Sequence, residues 1–267
     1  LLLDQFFITI ILGLIQGLAE WLPISSTAHL RVAEYFLGFD ATPLFNIFLH
    51  IGTLAVVIFY FRRDIKNVLT ALFRWDFRSP FGKFVPLIVV ASIPTAVIGL
   101  LYDVFLADSF QTLLIIGITF LVGACLLWSS KYGKEFSVDI SYRKALVIGA
   151  AQGAAIFPGL SRSGSTISSG LLMGTKREMI FKFSFLLSIP AILGDLGVEI
   201  YLQRGSFAQG VGVSSVSLLA GLVFSVIAGY LAIVLVKKLV LSHRFHYFAF
   251  YTFPLGIVLI VLALFGI

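Results

Sequence analysis

The sequence predicts an all-α, polytopic integral membrane protein: six transmembrane helices plus two re-entrant helical hairpins in an inverted-topology repeat. Three observations predict it. Of 267 residues, 59% are hydrophobic and 12% charged, and the mean hydropathy is +1.04, far beyond the apolar share of soluble domains. Several apolar runs approach the roughly 20 residues that a bilayer helix needs. Two short segments also share a skeleton. Ile11-Leu12-Gly13-Leu14-Ile15-Gln16-Gly17 leads to Pro23 and Ser25-Ser26-Thr27; Val147-Ile148-Gly149-Ala150-Ala151-Gln152-Gly153, with Gly149 136 positions after Gly13, leads to Pro158 and Ser161-Arg162-Ser163. Such a repeat in a membrane chain predicts two related halves meeting at a shared site. The expected organisation is one membrane domain over 1–267, with halves at about 1–130 and 140–267. A β-barrel is excluded, because it needs segments of about 10 residues with alternating polarity, whereas residues 113–128 are apolar almost throughout.

In chain order, a broken apolar stretch at about 6–38 precedes spans at about 44–61, 84–101 and 109–128. A second broken stretch at about 146–180 precedes spans at about 183–200, 216–236 and 247–266. Arg62, Arg63, Lys66, Arg74, Arg78 and Lys83 follow the first span, Lys131, Lys134, Arg143 and Lys144 the third, and Lys237, Lys238 and Arg244 the fifth. The positive-inside bias makes these loops cytoplasmic. The cation-poor loops near 102–108 and 201–215 then lie outside, as do both termini. On this topology the first broken stretch leaves and rejoins the outer face, and the second the cytoplasmic face. They read as hairpins entering from opposite sides, with tips near the middle of the membrane. Irregular backbone survives at that depth only around a protein-lined or water-filled cavity. The single cysteine, Cys125, permits no intrachain disulfide and is expected as a small buried residue. Leu1 is followed by no basic n-region or small-residue cleavage site, so the N-terminus reads as a trimmed end rather than a signal peptide.

The tips carry the polar chemistry. Gln16 and Glu20 are four apart and share a helix face; Ser25, Ser26, Thr27 and His29 follow Pro23. The second tip, Pro158-Gly159-Leu160-Ser161-Arg162-Ser163-Gly164-Ser165-Thr166, places a guanidinium among hydroxyls and glycines. A charge at membrane depth costs several kcal/mol unless paired or hydrated, so its default meaning is function. Arg162 can grip two phosphate oxygens, and a helix starting near Ser163 would aim its N–H groups at the same anion. Glu20 would repel phosphate by itself, so it suits a divalent-metal ligand or a base for a neighbouring nucleophile. Ser26 and His29, three apart on a helical turn, suit proton exchange. Together these groups point to phosphoryl transfer.

The runs from Gln16 through Glu20, Pro23 and Ser26 to His29, and from Pro158 through Arg162 to Thr166, resemble the two signature motifs of the undecaprenyl-diphosphate phosphatases, the BacA/UppP type of bacitracin-resistance protein. The resemblance covers essentially the whole chain. It implies a membrane hydrolase that converts a polyprenyl diphosphate to the monophosphate carrier lipid and inorganic phosphate, in service of peptidoglycan and other envelope polymers. By that likeness Ser26 is the nucleophile, Glu20 and His29 assist, and Arg162 holds the diphosphate. Gln16, Ser25, Thr27, Ser161, Ser163 and Thr166 then line the pocket. The family implies a divalent cation, Mg²⁺ or Ca²⁺, with Glu20 as its ligand. Many members carry glutamate where this chain has Gln16, which can offer a metal only a neutral oxygen. The implied partners are the lipid diphosphate and the membrane, with a homodimer allowed and no nucleic acid. The expected location is the plasma membrane, with the active site open to the outer face.

Other polar groups and one other function class complete the reading. Asn46 and His50 share a helix face, as do Asp195 and Glu199, so either pair could face the cavity. Glu20 and Arg162 could also pair with each other in an empty site. A lipid-phosphate transporter would share the inverted repeat and the anion grip, but it needs no nucleophile such as Ser26. The abundant phenylalanines are expected mainly on the lipid-facing surface, with some lining the prenyl groove.

Overall fold

The computed structural model describes residues 2–106, 112–205 and 210–266. Among them are eleven α-helices and, apart from one isolated bridge between Ser137 and Thr175, no β-structure. Residues 107–111 and 206–209, parts of the two loops read as outer, lie outside the described residues.

Helix α1 (Leu2–Trp21) is followed by a break and by α2 (Ser26–Leu37), which Gly38 closes in the left-handed conformation. Then come α3 (Pro43–Tyr60), α4 (Arg62–Phe73), α5 (Phe84–Phe105) and α6 (Leu113–Ser129). The second half has α7 (Tyr142–Ala154), a break, α8 (Arg162–Leu172), α9 (Arg177–Leu202), α10 (Ser215–Leu241) and α11 (Ala249–Leu264). Hydroxyl caps start several of these helices. Thr42 accepts from Phe45 N–H with Pro43 at the first position, and Thr112, Ser141 and Ser214 cap α6, α7 and α10 in the same way.

Among the described residues, six helical segments are long and apolar enough to cross a bilayer: Pro43–Tyr60, Phe84–Tyr102, Leu113–Tyr132, Arg177–Leu202, Ser215–Leu241 and Phe245–Leu264. The protein is a multi-pass membrane protein. The fourth segment starts at Arg177 rather than near 183. Hydropathy marks the apolar slab, whereas the helix continues past it through Arg177, Glu178 and Lys182, which are good helix formers. Within the basic loop after α3 the chain forms α4, whose end leaves Phe73 and Trp75 80% and 81% exposed.

Helices cross where glycine removes side-chain bulk. A Cβ at Gly13 of α1 would sit 2.2 Å from the Gly221 carbonyl oxygen of α10, and one at Gly149 of α7 would sit 2.0 Å from the Ala91 carbonyl oxygen of α5. At the crossing of α6 and α11, a Cβ at Gly117 would lie 2.9 Å from the Gly256 carbonyl oxygen, and one at Gly256 2.9 Å from the Gly117 carbonyl oxygen. Small-residue crossings let backbones pack where lipid supplies no hydrophobic drive. His243–Glu135 (3.9 Å) and Lys83–Asp139 (3.6 Å) tie the cation-rich loops to one another, and Arg177–Glu135 (3.2 Å) and Lys182–Asp64 (3.6 Å) tie them to the start of α9. They therefore occupy one face of the bundle.

Six phenylalanines, at 45, 120, 181, 183, 185 and 245, are fully buried rather than lipid-facing. Phe181 and Phe185 pack with Phe61 and Trp21, forming an aromatic floor beside the end of α1. Cys125 corrects its expectation: it is exposed on α6. Lipid-facing and core-facing positions of a membrane helix are equally apolar, so an apolar run does not reveal which way a residue points.

Candidate active site

The two breaks meet. After Trp21 the chain turns through Pro23, and Ser25 adopts φ +69°, a left-handed conformation that costs a non-glycine residue about 1–3 kcal/mol. Across from it, Gly159 has φ +102°, and a Cβ there would lie 2.2 Å from Thr119 Oγ1 and 2.7 Å from the Ile116 carbonyl oxygen. The Thr119 hydroxyl donates to the Pro158 carbonyl. Three hydrogen bonds join the breaks: Gly159 N–H to Ser25 Oγ (3.1 Å), Ser163 Oγ to the Trp21 carbonyl (3.0 Å) and Ser161 Oγ to the Leu22 carbonyl (3.4 Å). Helices α2 and α8 both begin here, at Ser26 and Arg162, so two positive helix ends converge on one place.

Glu20 lies at the centre, its side chain 2% exposed. Oε1 accepts from Arg162 Nη1 at 3.0 Å, and Oε2 accepts from Ser26 Oγ at 2.8 Å and Gln16 Nε2 at 3.1 Å. His50 Nε2 stands 3.8 Å from Oε2, while its Nδ1 lies 2.9 Å from the Asn46 carbonyl. A carbonyl can only accept, so Nδ1 carries the hydrogen. One carboxylate therefore gathers a nucleophilic hydroxyl, an amide, a guanidinium and an imidazole from α1, α2, α3 and α8. Further along, Glu199 of α9 interacts electrostatically with His50 and with Asp195, and Asn46 Nδ2 lies 3.5 Å from Glu34 Oε1. A cavity beside Glu20 and Arg162, also lined by Trp21, Ser163, Ser184, Phe185 and Ser188, holds about 10 Å³, the room of about one water.

His29 is placed differently from its sequence neighbour. Its Nδ1 lies 2.8 Å from the Ser25 carbonyl and its Nε2 2.8 Å from the Tyr251 hydroxyl, so neither nitrogen faces Ser26. The group that receives the Ser26 hydroxyl is Glu20. Among the remaining residues singled out in the sequence, Thr27 is exposed. Ser161 caps α8 by accepting from Gly164 N–H. Thr166 bonds the Arg162 carbonyl and Ser184 Oγ (2.5 Å), locking α8 to α9 rather than facing Glu20. No sequence signal points to Tyr251, which stands in an apolar helix 222 positions from His29.

The donor set admits a divalent cation in one way. Among the described residues no group of three His, Cys, Asp or Glu could hold an ion. Glu20 offers a carboxylate, and Gln16 Oε1 is a buried oxygen with no hydrogen-bond partner beside it. Mg²⁺ is commonly held by one or two carboxylates with substrate phosphates completing its shell, so these two oxygens fit an ion that arrives with a phosphorylated ligand.

Residues 9–258 match the profile of a family described as bacitracin resistance protein BacA. The chain is 38% identical over 271 residues to an undecaprenyl-diphosphatase of Methanosphaera stadtmanae, covering 95% of this chain and 96% of the relative. It is 40% identical over 258 residues to undecaprenyl-diphosphatase 3 of Bacillus cereus, covering 94% and 95%. It is 41% identical over 265 residues to an undecaprenyl-diphosphatase of Treponema denticola, covering 95% and 96%.

Proposed function

This chain belongs to the bacitracin resistance protein BacA family, and we propose that its site removes the terminal phosphate of undecaprenyl diphosphate by attack of Ser26. The activity itself follows from the family and from relatives named undecaprenyl-diphosphatase. The observation that carries the mechanism is the pair of bonds on Glu20, which takes the Ser26 hydroxyl through one oxygen and the Arg162 guanidinium through the other.

In this mechanism Ser26 Oγ forms a bond to the terminal phosphorus while the bond from phosphorus to the bridging oxygen breaks. Polyprenyl phosphate leaves with that oxygen, and the Ser26 proton passes to Glu20 Oε2. Water then hydrolyses the phosphoserine and releases inorganic phosphate. Arg162 has a second role before the ligand arrives. Its charge neutralises Glu20, since a buried carboxylate without a partner is costly. The adjoining cavity has room for about one water, so the diphosphate enters as Arg162 moves from Glu20 to the phosphate oxygens. The N–H groups at the starts of α2 and α8 face the same anion. A divalent ion, held by Glu20 and Gln16 Oε1, would neutralise phosphate charge when bound.

We read the two broken segments as re-entrant hairpins of an inverted repeat, α1 and α2 matching α7 and α8. The matching crossings at Gly13 and Gly149 support this. An outward-opening site is supported by the polar residues Asn46, His50, Asp195 and Glu199, and the plasma membrane is the location that a carrier-lipid substrate implies. These residues extend from Glu20 toward the helix ends opposite the cation-rich face. The reading allows a homodimer, and the mass of the protein in lipid nanodiscs tests it.

The decisive experiment measures phosphate release from undecaprenyl diphosphate by purified protein, beside Ser26→Ala and Arg162→Ala variants shown to be folded, with and without Mg²⁺. Release by the parent and loss of at least 100-fold in both variants is expected. Full activity in Ser26→Ala would transfer the attack to water, and an inactive parent would remove the hydrolase reading.

A further inference from the structure

We propose that Tyr251 is a positioning residue of this site, acting through His29; the proposal rests on the hydrolase reading for its kinetic arm alone. Tyr251 lies on α11, outside both sequence motifs, and its hydroxyl is 2.8 Å from His29 Nε2. The rings lie nearly parallel, 20° apart with centroids at 5.7 Å, and Phe120 meets the imidazole edge-on from α6.

The hydrogen-bond roles follow from the acceptor at the other end of the ring. The Ser25 carbonyl, 2.8 Å from Nδ1, has no hydrogen to give, so Nδ1 carries one. In the neutral ring Nε2 is then the bare nitrogen, and the Tyr251 hydroxyl donates to it. The imidazole is held at both ends and against one face, with a single tautomer and a single direction.

This arrangement reaches the reacting groups through the backbone. Ser25 is the residue at φ +69°. Its carbonyl takes the His29 hydrogen, its Oγ takes the Gly159 N–H, and Ser26 is the next residue. A hydrogen-bonded strut therefore runs from α11 through His29 to the strained turn and on to the opposite break. It holds the turn that aims Ser26 at Glu20. Removing the phenolic hydroxyl frees one end of the imidazole and loosens that turn, at the start of α2, while Arg162 and the start of α8 keep their grip on phosphate. The loss belongs in kcat and not in KM.

The test compares the parent with Tyr251→Phe and, as a control on an exposed tyrosine of the same region, Tyr247→Phe. Phosphate release from undecaprenyl diphosphate is read together with ¹⁵N spectra of histidine-labelled protein, the His29 signals being assigned by their disappearance in His29→Gln. In Tyr251→Phe we expect kcat to fall about tenfold with KM within about twofold, and the His29 Nε2 resonance to move toward that of an imidazole nitrogen without a donor. Tyr247→Phe should change neither. An unmoved His29 resonance overturns the proposal whatever the kinetics, and so does a moved resonance with unchanged kcat. If the parent releases no phosphate, the hydrolase reading fails while the resonance still decides whether Tyr251 holds His29.

Discussion

Replacing Gly149 by alanine tests whether the crossing of α7 over α5 sets the position of the second break. An added Cβ would sit 2.0 Å from the Ala91 carbonyl oxygen and 2.7 Å from the Ala91 carbonyl carbon and Cα, where ordinary contact begins near 3.4 Å. The obstacle is backbone, so no side chain can swing away, and α7 must retreat from α5 by about 1.4 Å. That movement also strains the bond from the Thr95 hydroxyl to the Gly149 carbonyl, 2.8 Å long. Overpacking of this kind costs about 1–3 kcal/mol. Because α7 leads directly into the turn that carries Arg162, a displacement of about 1 Å at the site should lower kcat about 100-fold. Gly13→Ala should behave alike, since its Cβ would lie 2.2 Å from the Gly221 carbonyl oxygen. The controls are Gly194→Ala and Gly197→Ala on α9, where a Cβ meets nothing within 4 Å; these should be neutral or stabilising by up to about 1 kcal/mol. Thermal unfolding in detergent, followed by loss of the monodisperse size-exclusion peak, and phosphate release together read both effects. Equal melting of Gly149→Ala and Gly194→Ala, with activity retained in both, would refute the reasoning.

Three further outcomes are expected. Glu20→Gln removes the acceptor for the Ser26 proton and leaves Arg162 without its partner. Phosphate release should fall at least 100-fold and stability by about 1–3 kcal/mol, reduced from a fully buried pair because Arg162 is 26% exposed; a folded, active variant would remove Glu20 from the mechanism. Gln16→Glu adds a second carboxylate beside Glu20, so the Mg²⁺ concentration for half-maximal activity should drop and chelation should inhibit more strongly; an unchanged Mg²⁺ curve would place the ion elsewhere. In the loop between α4 and α5, hydrogen bonds from Ser79, with a smaller contribution from the Arg78 N–H, hold the Asp76 carboxyl below its ordinary value. The unfolded chain then binds the proton first as pH falls, so the turn is supported above the ordinary aspartate value and loses that support as pH drops through the lowered one. Carbon NMR of labelled aspartate should show Asp76 titrating low and returning upward in Ser79→Ala.

What was legible in the sequence follows from the solvent. Lipid cannot satisfy backbone groups, so spans must be continuous apolar helices, and interruptions such as those at Pro23 and Pro158 stand out. Charges at membrane depth are equally conspicuous. Glu20 and Arg162 could therefore be singled out by cost alone, and both lie where the breaks meet.

Direction was not legible. Hydropathy scores Cys125 and Phe185 alike, yet one is exposed on α6 and the other is buried beside Trp21, because the bilayer and the protein core are both apolar. Sequence spacing put His29 beside Ser26, but the turn at Ser25 faces the Ser26 hydroxyl to Glu20 and the imidazole to Tyr251. The sequence by itself determined which segments cross the membrane, which ones break, and which side chains are too polar to be there without cause. Only the tertiary structure decided which of those side chains meet. That choice is made by helix crossings at Gly13, Gly149 and Gly117, where partners far apart in the chain approach within a carbonyl's reach, and no local pattern of residues encodes it.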